Sequence, residues 1–218
     1  MTKQELESKE FAKILGDIRA VGASYSDKKW YSHFKAWEYS KGYLWLKASG
    51  AKKVMDFGCG VSPIPQFLAN QGFEVWGVDN NSDNYCSIPG MGKDKLQELY
   101  PDVHYHFGEI FDLDEKFDAI VSFSVLEHLG EEGEKLRIYK RMGELLNDGG
   151  KVCHIVDCYS PEAWPSKLRG EVIHFPPLLN SFDISFDPTL WPDPQRVPEG
   201  VSPYFLGGGT RVMVAHDV

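Results

Sequence analysis

The sequence predicts a doubly wound α/β fold with a mostly parallel sheet, and three observations lead to that prediction. Short apolar strands alternate with helical segments from about residue 52 to residue 156, which implies right-handed crossovers and parallel strands. The segment 117–123 is almost continuously apolar, as a central strand buried on both faces should be. The strand at 53–57 runs directly into a Gly-x-Gly turn, which is typical of the first strand of such a sheet.

Length and composition favour one globular domain. The 218 residues suffice for one domain with a full core and are few for two. The apolar runs, such as 119–123, are too short to span a bilayer. The polar start at 1–7 has no apolar signal core, so we expect a cytoplasmic protein. The net charge is −9, with no Lys/Arg cluster longer than a pair, which speaks against a nucleic-acid partner because such partners require a basic surface.

The cysteines do not form a recognisable pattern. The chain contains no CxxC pair, and no Cys/His spacing matches a zinc site. We therefore expect reduced, mostly buried thiols and no metal site. The four residues are Cys59, Cys86, Cys153 and Cys158.

Two helices are predicted ahead of the sheet, at 4–22 and from about 26 to 48. The second is unusually aromatic, with Trp30, Tyr31, Phe34, Trp37, Tyr39, Tyr43 and Trp45. Most of these rings should face the core, but they do not fit one helical stripe. We expect the group at 25–34 to cover a ligand pocket as a lid, and the same aromatic surface could instead form a homodimer.

The central part alternates between strands and helices. Strands are predicted at 53–57, 74–78, 103–107, 117–123 and 151–156, with helices at 63–70, 93–100 and 131–146. Pro63 is acceptable in the first helical turn, where its missing N–H would be unpaired anyway. The run Asn147–Gly150 should end the last helix.

The pattern changes after residue 158. Nine of the thirteen prolines fall in 161–203, interleaved with large aromatic residues. This composition is too apolar for a disordered linker, so we expect an ordered, irregular cap at 159–206. The domain is then divided into an N-terminal helical lid at 1–50, a core at 51–158, the cap, and a C-terminal strand at 207–218.

The turn after the first strand favours a cationic nucleoside over a dinucleotide. A dinucleotide fingerprint needs a third glycine where Pro63 stands, and Pro63 and Pro65 remove two N–H groups that a pyrophosphate would use. Asp56, just before the turn, is unfavourable beside a pyrophosphate but suits an ammonium or sulfonium group. Asp79 ends the second strand, where an acid binds a ribose diol. S-adenosylmethionine carries an ammonium group, a sulfonium group and a ribose.

Several ordered segments support that choice. They are Asp56–Gly60, Val78–Asp79, Gly108–Ile110, Phe117–Ser122, Val125–Leu129 and Leu145–Lys151. Over roughly residues 50–158 the chain resembles the class I S-adenosylmethionine-dependent methyltransferases. Trp37–Tyr39 and Val61–Pro63 are similar, more weakly, to bacterial small-molecule methyltransferases. The resemblance implies a Rossmann-like sheet of seven strands with an antiparallel strand at the C-terminus.

The resemblance also implies roles for the residues of the first turn. Gly58, Cys59 and Gly60 would pass the methionine part of the cofactor, with Asp56 near its amino group. Asp79 would accept hydrogen bonds from both ribose hydroxyls.

The remaining cofactor contacts are implied for the ends of the second, third and fourth strands. Asn80 would lie beside the ribose. Glu109 would accept from the adenine amino group and the Ile110 N–H would reach a ring nitrogen. Glu109 stands where the family commonly has Asp, which leaves Asp112 as an alternative. Ser124 would line the pocket near the transferred methyl.

Methyl transfer from a sulfonium needs alignment, desolvation and, for some acceptors, a base. His128 is the first candidate for that base, followed by His33; Tyr25 could border the methyl site. The segment 122–125 lacks the Asn-Pro-Pro-Tyr type of motif that enzymes acting on nucleobase amines carry there. We therefore expect a small-molecule acceptor, methylated on oxygen rather than nitrogen.

Two alternatives remain open. An aminopropyltransferase uses a decarboxylated form of the cofactor on the same fold, although the expected acids for a polyamine are not evident after the fourth strand. The other alternative is a non-catalytic module that only binds S-adenosylmethionine. The presence of Asp56, Gly58, Gly60 and Asp79 argues against a decayed site of this kind.

Overall fold

The computed structural model describes residues 8–23, 33–80, 92–130, 132–159 and 209–217. Two helices, α1 and α2, precede the sheet, and short 3-10 helices follow β3 and β4. The elements are α1 (Lys9–Ala23), α2 (His33–Ser49), β1 (Lys53–Phe57), α3 (Ile64–Asn70), β2 (Glu74–Asp79), α4 (Lys93–Leu99), β3 (Val103–Phe107), a 3-10 helix (Ile110–Asp112), β4 (Phe117–Phe123), a 3-10 helix (Leu126–His128), α5 (Glu132–Leu145), β5 (Leu146–Tyr159) and β6 (Gly209–Asp217).

The strands form a sheet in the order β3-β2-β1-β4-β5-β6. The first five are parallel, and β6 pairs antiparallel with β5. The predicted α/β fold with a parallel sheet is confirmed. Within the described residues the sheet has six strands, not the seven expected. Because the strand order reverses between β1 and β4, their carboxyl ends open a crevice in which α/β proteins bind ligands.

The sheet is covered on both faces, as a doubly wound fold requires. Side chains alternate between the two faces along each strand. Val54 on β1 packs into one core layer together with Ile18 of α1, Leu46 of α2 and helices α3 and α4. The next residue, Met55, packs into the other layer together with Met142 of α5. Both faces of β1 are therefore dry, and only its carboxyl end reaches the crevice.

The start of β5 differs from the prediction. The sequence predicted that Asn147–Gly150 ends a helix ahead of a strand at 151–156. Instead, α5 ends at Leu145 and β5 begins at Leu146. The register shifts between Phe117, which pairs with Leu146, and Ala119, which pairs with Lys151. The four turn residues form an irregularity within the strand, and Gly149 accommodates it with φ 73°, a conformation that favours glycine.

The helix α2 lies directly on the end of β4. A side chain on Gly42 would overlap the ring of Phe123, and Tyr39 meets the same ring edge-on at a centroid distance of 5.3 Å. This helix was expected to begin near residue 26; the described part begins at His33. Most of the predicted lid group at 25–34 and the predicted cap at 159–206 lie outside the described residues.

The helices that the structure describes include none with the length and apolar character needed to cross a membrane.

Candidate active site

The glycine turn ties the end of β1 to the end of β2. The backbone N–H groups of Gly58 and Cys59 both donate to the carbonyl oxygen of Val78, at 2.7 and 3.1 Å. Gly58 has φ 72°, and a Cβ there would overlap the side chain of Val125. Glycine is therefore required at this position twice, by the backbone angle and by the neighbour. The turn is held close both to β2 and to the segment after β4.

Asp79 is fastened to the same turn. Its Oδ2 accepts a hydrogen bond from the Gly60 N–H at 2.9 Å. Its own carbonyl oxygen accepts from the Gly108 N–H at 3.0 Å, which joins the end of β2 to the end of β3. The acid is thus held at the point where three strands end.

Asp56 is a buried carboxylate beside this turn. Its side chain is 1% exposed, and its Oδ2 has no hydrogen-bond partner among the described residues. Burial raises the pKa of the Asp56 carboxyl well above its ordinary value, the charge of Asp79 raises it further, and Lys35 opposes both. Such a group is unfavourable until a cation or hydrogen-bond donor reaches it. The ammonium group of a methionine moiety fits this requirement.

Cys59 contributes its backbone rather than its thiol. The side chain is buried, and burial raises the pKa of the thiol well above its ordinary value, with further contributions from Asp56 and Asp79. The thiol is therefore neutral and unreactive. The expectation of a reduced, buried cysteine is met at Cys59 and Cys153.

Glu109 and Ile110, the predicted adenine contacts, follow β3, and Asn80, predicted beside the ribose, follows β2. The Asn80 side chain donates to Glu109 Oε1 at 3.5 Å. Glu109 precedes the 3-10 helix that starts at Ile110, and the Ile110 side chain is buried. His106 meets the Glu109 carbonyl oxygen at 3.2 Å. The contact between Asn80 and Glu109 joins the residue after Asp79 to the segment that follows β3.

The end of β4 carries a constrained residue. Ser124 has φ 55°, the one positive φ outside glycine that the described ranges contain. Its N–H donates to the carbonyl oxygen of Ile155 at 2.7 Å, and its hydroxyl donates to Glu38 Oε2 at 3.0 Å. Ser124 is therefore fixed from β5 and from α2.

Glu38 is the residue of this region that the sequence analysis did not assign. Its side chain is fully buried and accepts a hydrogen bond from Lys35 Nζ at 2.8 Å. The same ammonium group donates to the carbonyl oxygen of Phe123 at 3.4 Å. The available signal was an acid between Trp37 and Tyr39 on a helix rich in aromatic residues, since an acid on a core-facing helix must have a partner.

The structure does not bring the predicted catalytic residues together at one place. His128 ends the 3-10 helix after β4; its side chain is exposed, and its N–H donates to the Val125 carbonyl oxygen at 2.9 Å. His33 is the first residue of α2, but its side chain lies outside the described part, as does all of Tyr25. Within the described ranges, no cluster of three or more His, Cys, Asp or Glu side chains could hold a metal ion.

The carboxyl ends of four neighbouring strands thus carry the features of one ligand site. The end of β1 supplies Asp56 and the glycine turn, the end of β2 supplies Asp79, the end of β3 supplies Glu109, and the end of β4 supplies Ser124. Its carboxylates can bind a positively charged group and accept hydrogen bonds from hydroxyl groups.

Curated relatives match the chain over less than half of its length. A ubiquinone biosynthesis O-methyltransferase of Azorhizobium caulinodans is 31% identical over 101 residues, which are 45% of this chain and 37% of that protein. A protein of the same name from Bradyrhizobium diazoefficiens is 30% identical over 105 residues, covering 48% of this chain and 40% of the relative. The matched stretch therefore spans well under half of each relative.

Among solved structures, one similar fold is CalS10, an S-adenosylmethionine-bound amino pentose methyltransferase of Micromonospora echinaspora. It shares 22% identity, with 63% of this chain and 61% of that chain covered, at a TM-score of 0.47.

A family model described as a methyltransferase domain matches residues 31–194, which is most of the 218-residue chain. The match begins ahead of α2 and includes the glycine turn, Asp79, Glu109 and Ser124. The chain belongs to this methyltransferase-domain family, the class I enzymes that use S-adenosylmethionine.

Proposed function

We propose that this protein binds S-adenosylmethionine in the crevice and transfers its methyl group to a small-molecule acceptor. The observation that carries the proposal is the buried Asp56 carboxylate, whose Oδ2 has no hydrogen-bond partner in the described part of the chain. It lies beside a glycine turn that is closed against Val125. A site that keeps such a group buried is suited to a ligand bearing a positive charge.

Each part of the cofactor has a suitable partner. We assign the methionine part to the turn at 58–60, with its ammonium group beside Asp56. Asp79 is assigned to the ribose hydroxyls, next to Asn80. Glu109 and the Ile110 N–H are assigned to the adenine.

S-adenosylmethionine supplies a methyl group that is already activated by its sulfonium. The protein's contribution is then to fix the cofactor, exclude water and align the acceptor. Where the acceptor must lose a proton, His128 is the proposed base, because it lies in the 3-10 helix that follows β4. His33 and Tyr25 are the further candidates.

Oxygen is the proposed methyl acceptor atom. Two curated relatives are named O-methyltransferases, which supports oxygen over nitrogen. We propose that 25–34 and the cap at 159–206 enclose the acceptor. A cytoplasmic location, no nucleic-acid partner and a possible homodimer complete the proposal.

Calorimetric titration with S-adenosylmethionine and its demethylated product tests the cofactor site. We expect sub-millimolar binding, and we expect Asp79→Ala to weaken it by about 1–3 kcal/mol, because charged hydrogen bonds to the ribose are lost. Asp102→Ala is the matched control: Asp102 is an exposed acid just ahead of β3, at the amino ends of the parallel strands and so at the other end from the crevice. Binding of neither cofactor form to the wild type would reject the proposal. An unchanged affinity in Asp79→Ala would reject the ribose assignment alone.

The aminopropyltransferase alternative predicts a different preference. Incubation with the decarboxylated cofactor and a polyamine would then yield an aminopropylated product, and the carboxylated cofactor would bind more weakly than the decarboxylated one. Tighter binding of S-adenosylmethionine, with no aminopropylated product, supports the methyltransferase.

A further inference from the structure

The contacts of α2 point to a role for Glu38 that goes beyond packing. A fully buried carboxylate is costly unless it is paired and hydrogen-bonded. Glu38 has both kinds of partner: Lys35 on the preceding helical turn, at 2.8 Å, and the Ser124 hydroxyl, at 3.0 Å. The second contact links residues 86 positions apart in the chain. It is a polar link from α2 to the segment that follows β4.

Ser124 needs such a link because of its backbone. A serine with φ 55° occupies the left-handed region, which costs a non-glycine residue energy and persists only when the surroundings impose it. Two of its hydrogen bonds favour it here: the Ser124 N–H donates to the Ile155 carbonyl oxygen of β5, and the Ser124 hydroxyl donates to Glu38. The backbone direction after β4 therefore depends in part on an acid in α2.

That direction matters because of the next residue. The Val125 side chain occupies the space in which a Cβ of Gly58 would lie. The segment after β4 thus packs against the glycine turn. The Lys35 ammonium group also donates a hydrogen bond to the carbonyl oxygen of Phe123, the last residue of β4. A change in φ at Ser124 would move Val125 away from the turn that carries the methionine part of the cofactor.

We propose that Glu38 is a positioning residue: it holds Ser124 in the left-handed conformation and thereby keeps the segment 124–125 closed on the glycine turn. This inference rests on the proposed cofactor site. It assigns to Glu38 no contact with the cofactor and no proton transfer. The helix α2 then sets the shape of the crevice as well as covering the sheet.

A pair of substitutions at Ser124 separates this role from direct binding. Ser124→Ala removes the hydroxyl and keeps the unfavourable φ, whereas Ser124→Gly removes the hydroxyl and also the cost of that φ. We expect Ser124→Ala to weaken binding of the demethylated cofactor product about tenfold, and Ser124→Gly to weaken it at most about twofold. Equal losses in the two variants would mean that the hydroxyl contacts the cofactor, and the proposal would be wrong.

Glu38→Ala completes the test. In the wild-type background we expect Glu38→Ala to reduce product affinity about tenfold. In the Ser124→Gly background we expect a loss of at most about twofold, because glycine adopts a positive φ without a hydrogen bond to Glu38. The same loss in both backgrounds would overturn the proposal. Glu98→Ala is the control, since Lys95–Glu98 has the same spacing in α4 but is exposed, and it should leave the affinity unchanged.

Thermal unfolding of each variant distinguishes a binding defect from misfolding. If Glu38→Ala does not fold, the comparison moves to Glu38→Gln, which keeps the size of the side chain and an acceptor oxygen. Its loss should be smaller than that of Ser124→Ala and should again vanish in the Ser124→Gly background. If the variants do not show these differences but the wild type binds the product, only the role of Glu38 is rejected and the proposed cofactor site stands. If the wild type binds no form of the cofactor, the proposed function itself is rejected.

Discussion

At the scale of single residues, Asp56 combines a cost for the fold with a use in the site. Its carboxylate is buried and lacks a hydrogen-bond partner at Oδ2 within the described residues, and burial raises its pKa. Between its ordinary pKa and this raised one, the folded protein binds more protons than the unfolded chain. Stability therefore falls as the pH rises through that interval and stays low above it.

Asp56→Asn should stabilise the ligand-free protein at neutral pH by about 1–3 kcal/mol, because it removes a buried carboxyl group whose ionised form is unfavourable in the folded state. The gain should grow from pH 4 upward, and cofactor affinity should drop in the same variant. Urea unfolding at several pH values measures the first effect and calorimetry the second. A variant that is less stable than the wild type at pH 8 would contradict this account.

Asp118 provides the opposite case within the same sheet. Its Oδ2 accepts from the N–H groups of Lys53 and Lys52, both at 2.9 Å, and these bonds lower the pKa of the Asp118 carboxyl. Its contribution to stability is present above its ordinary pKa and lost as the pH falls through the lowered one. Asp118→Asn should therefore destabilise the protein at pH 7, and the difference from wild type should shrink in acid. An Asp118→Asn protein as stable as the wild type at pH 7 would show that these hydrogen bonds carry no net energy.

At the scale of elements, the approach of α2 to the sheet depends on a residue without a side chain. A Cβ on Gly42 would overlap the buried ring of Phe123. In a free helix, alanine would be better than glycine by about 1 kcal/mol, but overpacking a core costs about 1–3 kcal/mol. The contact with Phe123 therefore decides whether alanine at position 42 stabilises or destabilises the protein.

Gly42→Ala should lower the free energy of unfolding by up to about 2 kcal/mol and shift α2 away from β4. Gly16→Ala in α1 is the matched control, because nothing lies within 4 Å of a Cβ at Gly16. That substitution should stabilise the protein by about 0.5–1 kcal/mol. Urea unfolding of both variants, side by side, gives the comparison. Stabilisation by both substitutions would show that Phe123 moves aside at little cost.

At the scale of the whole molecule, four strands end at the crevice and each supplies one part of the site. A ligand that binds all four ends binds the folded state alone and stabilises it by mass action. The demethylated cofactor product at about one hundred times its dissociation constant should add about 2.7 kcal/mol, or roughly 5–10 °C in Tm for a chain of this length. Differential scanning calorimetry with the wild type and with Asp79→Ala checks this at one fixed ligand concentration. The shift should be smaller in the variant; equal shifts would mean that the ligand binds elsewhere.

The order of elements follows from sequence patterns that are local. The periods of apolar residues placed β1 to β4 and the helices between them within a few residues. The glycine turn and Asp79 could be identified because a strand end, a tight turn and an acid after the next strand lie at characteristic spacings along the chain. The start of β5 was predicted incorrectly, since Asn147–Gly150 has the composition of a helix end while pairing with β4 decides its conformation.

The sequence by itself therefore determined the parallel sheet, the family and the position of the glycine turn, because each depends on residues that are neighbours in the chain or recur at a fixed period. Only the tertiary structure decided that Glu38 meets Ser124, that Val125 closes on Gly58 and that Gly42 must stay small against Phe123. Each of these contacts joins elements far apart in the sequence. Their partners are chosen by the packing of α2 and the strand ends in three dimensions, which no local pattern encodes.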